Sequence, residues 1–230
     1  MDLNQAPGEL LLALFIVFMV VLFGGGIYFS IRQTRQRRQA ILERGLTPQK
    51  PPDAAFVAAM QRLKPDERVE NVFHQDRGGF RLYLFELWSA RSSDDSGRSY
   101  NTLALVTPDF HLPRFTLVPN VHLRGLSWLM NWGMQEAMRR YGLQRFTFPE
   151  SQVFDQEYVL LGQDELALRQ FFTLERLNRL ATACQNFAVE GQDDLLTFMR
   201  ADLQSRSRTD AAQLDALLSG AAVLYAIFRD

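Results

Sequence analysis

Residues Phe80–Ala90 read FRLYLFELWSA. Leu82, Leu84 and Leu87 are interleaved with Tyr83, Phe85 and Trp88, so a strand built from this stretch is apolar on both faces. Such a run predicts a central strand. On its N-terminal side, Val69–His74 reads as the strand before it. The polar loop ARSSDDSGR (Ala90–Arg98) returns the chain into a third strand, Tyr100–Val106, as a hairpin. LPRFTLVP (Leu112–Pro119) alternates Phe115 and Leu117 with Arg114, Thr116 and Val118. Its prolines at both ends predict an edge strand.

Further along, Leu126, Leu129, Met130, Gly133, Ala137, Met138 and Tyr141 recur at helical spacing. They predict a helix over Leu126–Tyr141, closed by Arg139, Arg140 and Gly142. Arg145–Phe148 and Gln156–Leu161 read as short strands. A helix over Asp164–Leu180 is capped by Asp164. Phe187–Glu190 and Leu195–Arg200 form a hairpin, and Ala211–Phe228 a final helix with an apolar stripe from Leu214 to Phe228. This order predicts an α+β domain on a mainly antiparallel sheet with two or three packed helices, for which a pleckstrin-homology-like arrangement is one solution.

Upstream, LLLALFIVFMVVLFGGGIYFSI (Leu10–Ile31) carries no charge. About 20 apolar residues span a ~30 Å hydrocarbon core, so the run predicts a transmembrane helix. An acidic start (Asp2, Glu9) and a long apolar core are unlike a cleaved signal peptide. Arg32, Arg35, Arg37 and Arg38 follow at once. They predict an N-out, C-in orientation and contact with anionic lipid headgroups. Gly26 and Ser30 have the spacing of packed membrane helices and leave weak homo-oligomerisation open. Gly45 and Pro48 stop the helix, and TPQKPPD (Thr47–Asp53) reads as a stiff linker. A brief helix follows, with Asp53 as its cap and Phe56, Met60 and Leu63 on one face. The expected organisation is a short extracytoplasmic terminus (1–9), a membrane span (10–31), a basic juxtamembrane segment and linker (32–65) and a soluble domain (66–230). The expected location is a bacterial inner membrane, with the domain in the cytoplasm.

Charge narrows the function classes. The net charge is −1, distributed as −2 over residues 1–31, +5 over 32–50 and −4 over the remainder. An acidic domain argues against nucleic acid as a partner. The single cysteine, Cys184, permits no intramolecular disulfide and reads as a small buried residue in a strand.

Three segments carry a resemblance. LPRFTLVPN (Leu112–Asn120), FTFPESQVFDQEYVLLGQDELALRQFF (Phe146–Phe172) and NFAVEGQDDLLTF (Asn186–Phe198) occur in that order. Together they resemble a family of uncharacterised bacterial single-pass membrane-anchored proteins. The shared features are a Pro-Arg-Phe strand, a Phe154–Tyr158–Leu160–Gly162–Asp164 junction and a hairpin opened by Val189-Glu190. The match spans Leu112 to Phe198, and the Trp128/Trp132 helix looks like an insertion in it. The resemblance implies fold and anchoring and supplies no chemistry.

No catalytic, cofactor or metal motif stands out. His74, His111 and His122 lack metal-ligand spacing, and there is no nucleophile elbow, P-loop or dinucleotide fingerprint. Asp94–Asp95 and Asp193–Asp194 sit in predicted turns, where solvation and local hydrogen bonds suit them. Asp155, Glu157, Asp164 and Glu165 surround a strand–helix junction, where capping is expected. One further patch stands out: Trp128 and Trp132, four apart and flanked by Arg124 and Arg139, suit a protein partner or a membrane surface, with core packing as the ordinary alternative. The expected function is a non-enzymatic interaction or scaffold module at the membrane face. The alternatives are an enzyme acting on a membrane-proximal substrate, or a lipid sensor.

Overall fold

The computed structural model describes residues 15, 19, 28, 31–89, 98–120, 138–139, 141–200 and 211–229, with backbone alone at 89, 98–101 and 211. The chain divides into two units, Met1–Arg44 and Gly45–Asp230.

Most of the Leu10–Ile31 run lies outside the described residues. Phe15, Met19 and Tyr28 within it are helical, with Phe15 and Tyr28 exposed. A helix covers residues 31–43 and ends just before Gly45. Gln39 Nε2 donates to Glu43 Oε1 at 3.0 Å, and Arg44 Nη1 reaches back to the Ala40 carbonyl at 2.8 Å. Gly45 then takes φ +77°, the left-handed geometry that closes a helix.

In the second unit, Thr47–Pro48 is β1 and Ala54–Leu63 is α1, followed by β2 (Glu67–Arg77), β3 (Phe80–Ser89), β4 (Arg98–Val106) and β5 (Leu112–Pro119). Next come β6 (Gln144–Phe146), α2 (Gln152–Glu157), β7 (Tyr158–Gly162), α3 (Glu165–Phe171) and α4 (Leu174–Ala183). The hairpin β8 (Phe187–Asp193) and β9 (Leu195–Arg200) precedes α5 (Ala211–Arg229). The strands form one sheet in the order β1-β2-β3-β4-β9-β8-β5-β7-β6, and every pair is antiparallel.

β3 is interior, as its two apolar faces require, and Leu82 through Leu87 are all buried. One face carries α1. Phe56 stacks on Tyr83 with ring centroids 4.0 Å apart, and Met60 and Leu63 join Phe85, Leu87 and Leu195 in one core. The other face carries α5, where Tyr225 meets Phe80 at 4.5 Å and Phe228 stacks on Phe115 at 5.5 Å. Each large apolar side chain buried in this way contributes about 1.5–3 kcal/mol. Among the described residues, Ala212–Arg229 is long and apolar enough to cross a bilayer. Half of it is buried in the folded unit, where Leu214, Leu217, Leu224 and Phe228 build the core.

Local signals placed several boundaries correctly. Asp53 caps α1 by accepting from the Ala55 amide at 2.9 Å, and Asp164 caps α3 through the Ala167 amide at 3.1 Å. Met138 and Tyr141 are helical and Gly142 follows at φ +62°, while the rest of the helix predicted over Leu126–Tyr141 lies largely outside the described residues.

Five expectations are corrected. The Leu112–Pro119 strand is not an edge: it lies between β7 and β8. Its prolines are tolerated because Pro113 falls where the β5–β8 register shifts and Pro119 ends the strand. The helix expected over Asp164–Leu180 is two helices. Thr173 breaks it and caps α4, its hydroxyl accepting from the Arg176 amide at 3.3 Å. Residues 152–157 are helical, so the strand expected from Gln156 begins at Tyr158. Cys184 is buried at the C-cap of α4 rather than in a strand. The stretch expected as a linker pairs with the sheet, Thr47 opposite His74 and Pro48 opposite Phe73. By its contacts the second unit begins at Gly45.

Candidate functional site

The β4–β5 connection is a tight turn. The Phe110 amide donates to the Thr107 carbonyl at 3.2 Å, and the Thr107 hydroxyl donates to the Gly79 carbonyl at 2.6 Å. Facing it is the β8–β9 hairpin, which reverses at Asp193 (φ +55°) and Asp194. Aspartate is among the few non-glycine residues that adopt this conformation readily. The two turns are stitched together, the Thr107 amide donating to the Asp194 carbonyl at 3.1 Å.

Between these turns and α3 lies an open groove of about 850 Å³. Its apolar lining is Pro108, Phe110, Leu112, Pro113, Ala167 and Phe171, and its polar lining is His111, Gln170, Asp193 and Asp194. Phe171 is firmly held. Its ring is stacked with Phe228 at 6.0 Å and meets Phe172 edge-on at 5.2 Å, and the Arg176 guanidinium lies 4.1 Å from its centroid. Arg176 also donates to the Phe171 carbonyl and, at 3.1 Å, to that of Ile227.

Beside the groove is a network of charges that staples the C-terminus of α1 to the sheet. Arg114 donates to the carbonyls of Arg62 (3.2 Å) and Leu63 (2.6 Å) and to Gln192 Oε1 (2.5 Å). A cation at these last carbonyls also suits the helix dipole. Lys64 Nζ is 2.8 Å from Glu190 Oε1 and 3.7 Å from Glu67 Oε1. Burial opposes the lysine's charge, but Glu190 and Glu67 outweigh it and hold the ammonium above the ordinary lysine range. Burial also dominates at Glu67, raising its carboxyl despite Lys64, and it lowers Arg114. Arg62 Nη2 lies 3.7 Å from Asp194 Oδ1.

The structure brings few of the sequence-derived site residues into this region. Asp193 and Asp194 occupy a turn, as expected, and they also rim the groove. Asp155 receives the Phe148 amide at 3.0 Å and Glu165 pairs with Arg169 at 2.8 Å, so both serve the local fold. His111 lines the groove, while Thr47 Oγ1 lies 3.4 Å from His74 Nδ1. Among the described residues, no group of three His, Cys, Asp or Glu is placed to hold a metal ion. Arg32, Arg35 and Arg38 are exposed and Arg37 is half-buried on the helix over residues 31–43. Arg139 is exposed. Trp128, Trp132, Arg124, His122, Asp94 and Asp95 lie outside the described residues. Sequence reasoning missed the groove floor of Phe110, Leu112 and Phe171 and the Lys64–Glu190 pair. The only local hint was apolar side chains close to turn prolines.

No family model and no curated protein matches the chain. Among solved structures, the fold is similar to the crystal structure of the mycobacterial trehalose monomycolate transport factor A, TtfA. The TM-score is 0.50 at 11% identity, over 86% of this chain and 94% of that one. A likeness at this identity concerns the fold alone.

Proposed function

We propose that the chain is a single-pass membrane-anchored protein whose α+β unit is a non-enzymatic interaction or scaffold module at the cytoplasmic face of a bacterial inner membrane. The groove carries this reading. It is open and floored by aromatic and aliphatic side chains, a surface suited to recognising a partner. Among the described residues, no Ser, Cys, Thr, Lys or Arg lines it, and no hydrogen bond or ion pair orients His111. The surrounding cations are spent on structure: Arg114 on helix carbonyls, Lys64 on Glu190 and Arg176 on the Phe171 and Ile227 carbonyls.

The membrane anchor and the N-out orientation rest on the apolar run and the arginines that follow it. Membership in the resembling bacterial family, the pleckstrin-homology analogy and a second contact patch around Trp128 and Trp132 belong to the same proposal.

Two measurements test it. A fluorescent reporter fused at the C-terminus glows in the cytoplasm, whereas an alkaline phosphatase fused there is inactive; active phosphatase reverses the orientation. Affinity capture of the full chain in mild detergent retains a protein partner. Capture of nothing, with no self-association, removes the scaffold reading.

A further inference from the structure

Charge narrows the occupant of the groove, provided that the interaction-module reading holds. We infer that the groove takes a cationic apolar segment of a partner protein, an aliphatic or aromatic side chain on Phe110, Leu112 and Phe171 flanked by Lys or Arg at Asp193 and Asp194.

Three observations point the same way. First, among the described residues the lining holds two carboxylates and no Lys or Arg. The cations nearby are engaged elsewhere: Arg169 on Glu165, Arg114 on the α1 carbonyls and Arg176 on the Phe171 and Ile227 carbonyls. An anionic lipid headgroup placed here meets two carboxylates and one cation, Arg62 at 3.7 Å from Asp194, whereas an ammonium or guanidinium meets two acceptors. Second, Asp194 Oδ1 is buried and accepts no hydrogen bond among the described residues. Its nearest cation, Arg62 Nη2 at 3.7 Å, is beyond hydrogen-bond distance. The Asp194 side chain as a whole is 43% exposed, so it is open to a donor brought by a ligand. Third, the site is formed in advance. Phe171 is clamped by Arg176 and Phe228, and the Thr107–Asp194 bond holds the two turns together. Little ordering is then needed on binding, which favours affinity for a short segment.

The test uses the full chain in phosphatidylcholine nanodiscs and two fluorescein-labelled synthetic heptapeptides, KLFKLLK and ELFELLE. The cationic peptide binds and the acidic one does not. Asp193→Asn with Asp194→Asn, which keeps a side chain tolerant of the positive φ at 193, weakens binding at least tenfold. Ala167→Trp, which fills the groove from α3, does the same. Equal binding of the two peptides, or affinity unchanged in both variants, overturns the inference. So does an Ala167→Trp variant that loses binding to phosphatidylglycerol vesicles while keeping the peptide. Partner capture that survives both variants removes this inference and leaves the scaffold reading in place; capture that fails in the wild-type chain removes the scaffold reading itself.

Discussion

Removing the Glu190 carboxylate tests the charge network beside the groove. Lys64 Nζ sits 2.8 Å from Glu190 Oε1, with the two side chains 15% and 23% exposed. Breaking a fully buried pair by deleting one partner costs about 3–5 kcal/mol, because an uncompensated charge stays buried. Glu67 remains 3.7 Å from the ammonium in Glu190→Gln, and partial exposure admits some water, so about 2–3 kcal/mol is expected. At about 2–4 °C per kcal/mol for a chain of this size, melting falls by about 4–12 °C. The double variant Lys64→Met/Glu190→Leu replaces both charges with apolar bulk and lies within about 1 kcal/mol of the wild type. Circular dichroism melts of the full chain in mild detergent measure both. The sign with pH is defined: a raised lysine contributes stability that is fully present below its ordinary pKa and is lost only in strong alkali. The deficit of Glu190→Gln is therefore constant between about pH 6 and pH 9. A Glu190→Gln melt within about 2 °C of wild type, or a double variant as unstable as the single, refutes the reasoning.

Three further outcomes are expected. Burial holds the Glu67 carboxyl above its ordinary value, so its ionised form costs stability at neutral pH; Glu67→Gln melts higher than wild type at pH 7, and the gap closes as pH falls towards about 4.3. Gly191→Ala places a Cβ 2.4 Å from Phe115 Cε1, a ring packed on all sides, and costs about 1–3 kcal/mol in the same melts. Cys184 is fully buried and its thiol is pushed up to about 12 by burial, so iodoacetamide at pH 8 leaves it unlabelled until urea unfolds the chain.

What was legible in the sequence was what neighbouring residues decide. Asp53 and Asp164 announce their helices because a cap acts over three residues. Phe80–Ser89 announces an interior strand because both of its faces are apolar. The errors arose where distant partners decide. Thr47 and Pro48 look like linker residues until Phe73 and His74 pair with them. Pro113 suggests an edge until the register shift that accommodates it is known. Thr173 is an ordinary helix residue by pattern, and it becomes a cap because the turn brings Phe171 and Phe172 into the rings of Phe115 and Phe228. The groove draws on the β4–β5 turn, α3 and the β8–β9 turn. Its acids were legible as turn residues, but the cavity they rim exists only after long-range pairing. Lys64 and Glu190 likewise meet only because α1 packs beside β8.

Among the described residues, β9 joins the two halves of the sheet, pairing with β4 on one side and β8 on the other. During synthesis, β1 through β4 are complete long before residue 195 leaves the ribosome. Until then β4 presents an open ladder of amides and carbonyls, a template for pairing with a neighbouring chain. The nascent protein thus carries an assembly hazard that ends when the last strand is inserted. Truncation before Leu195 makes that hazard permanent, whatever the stability of the halves.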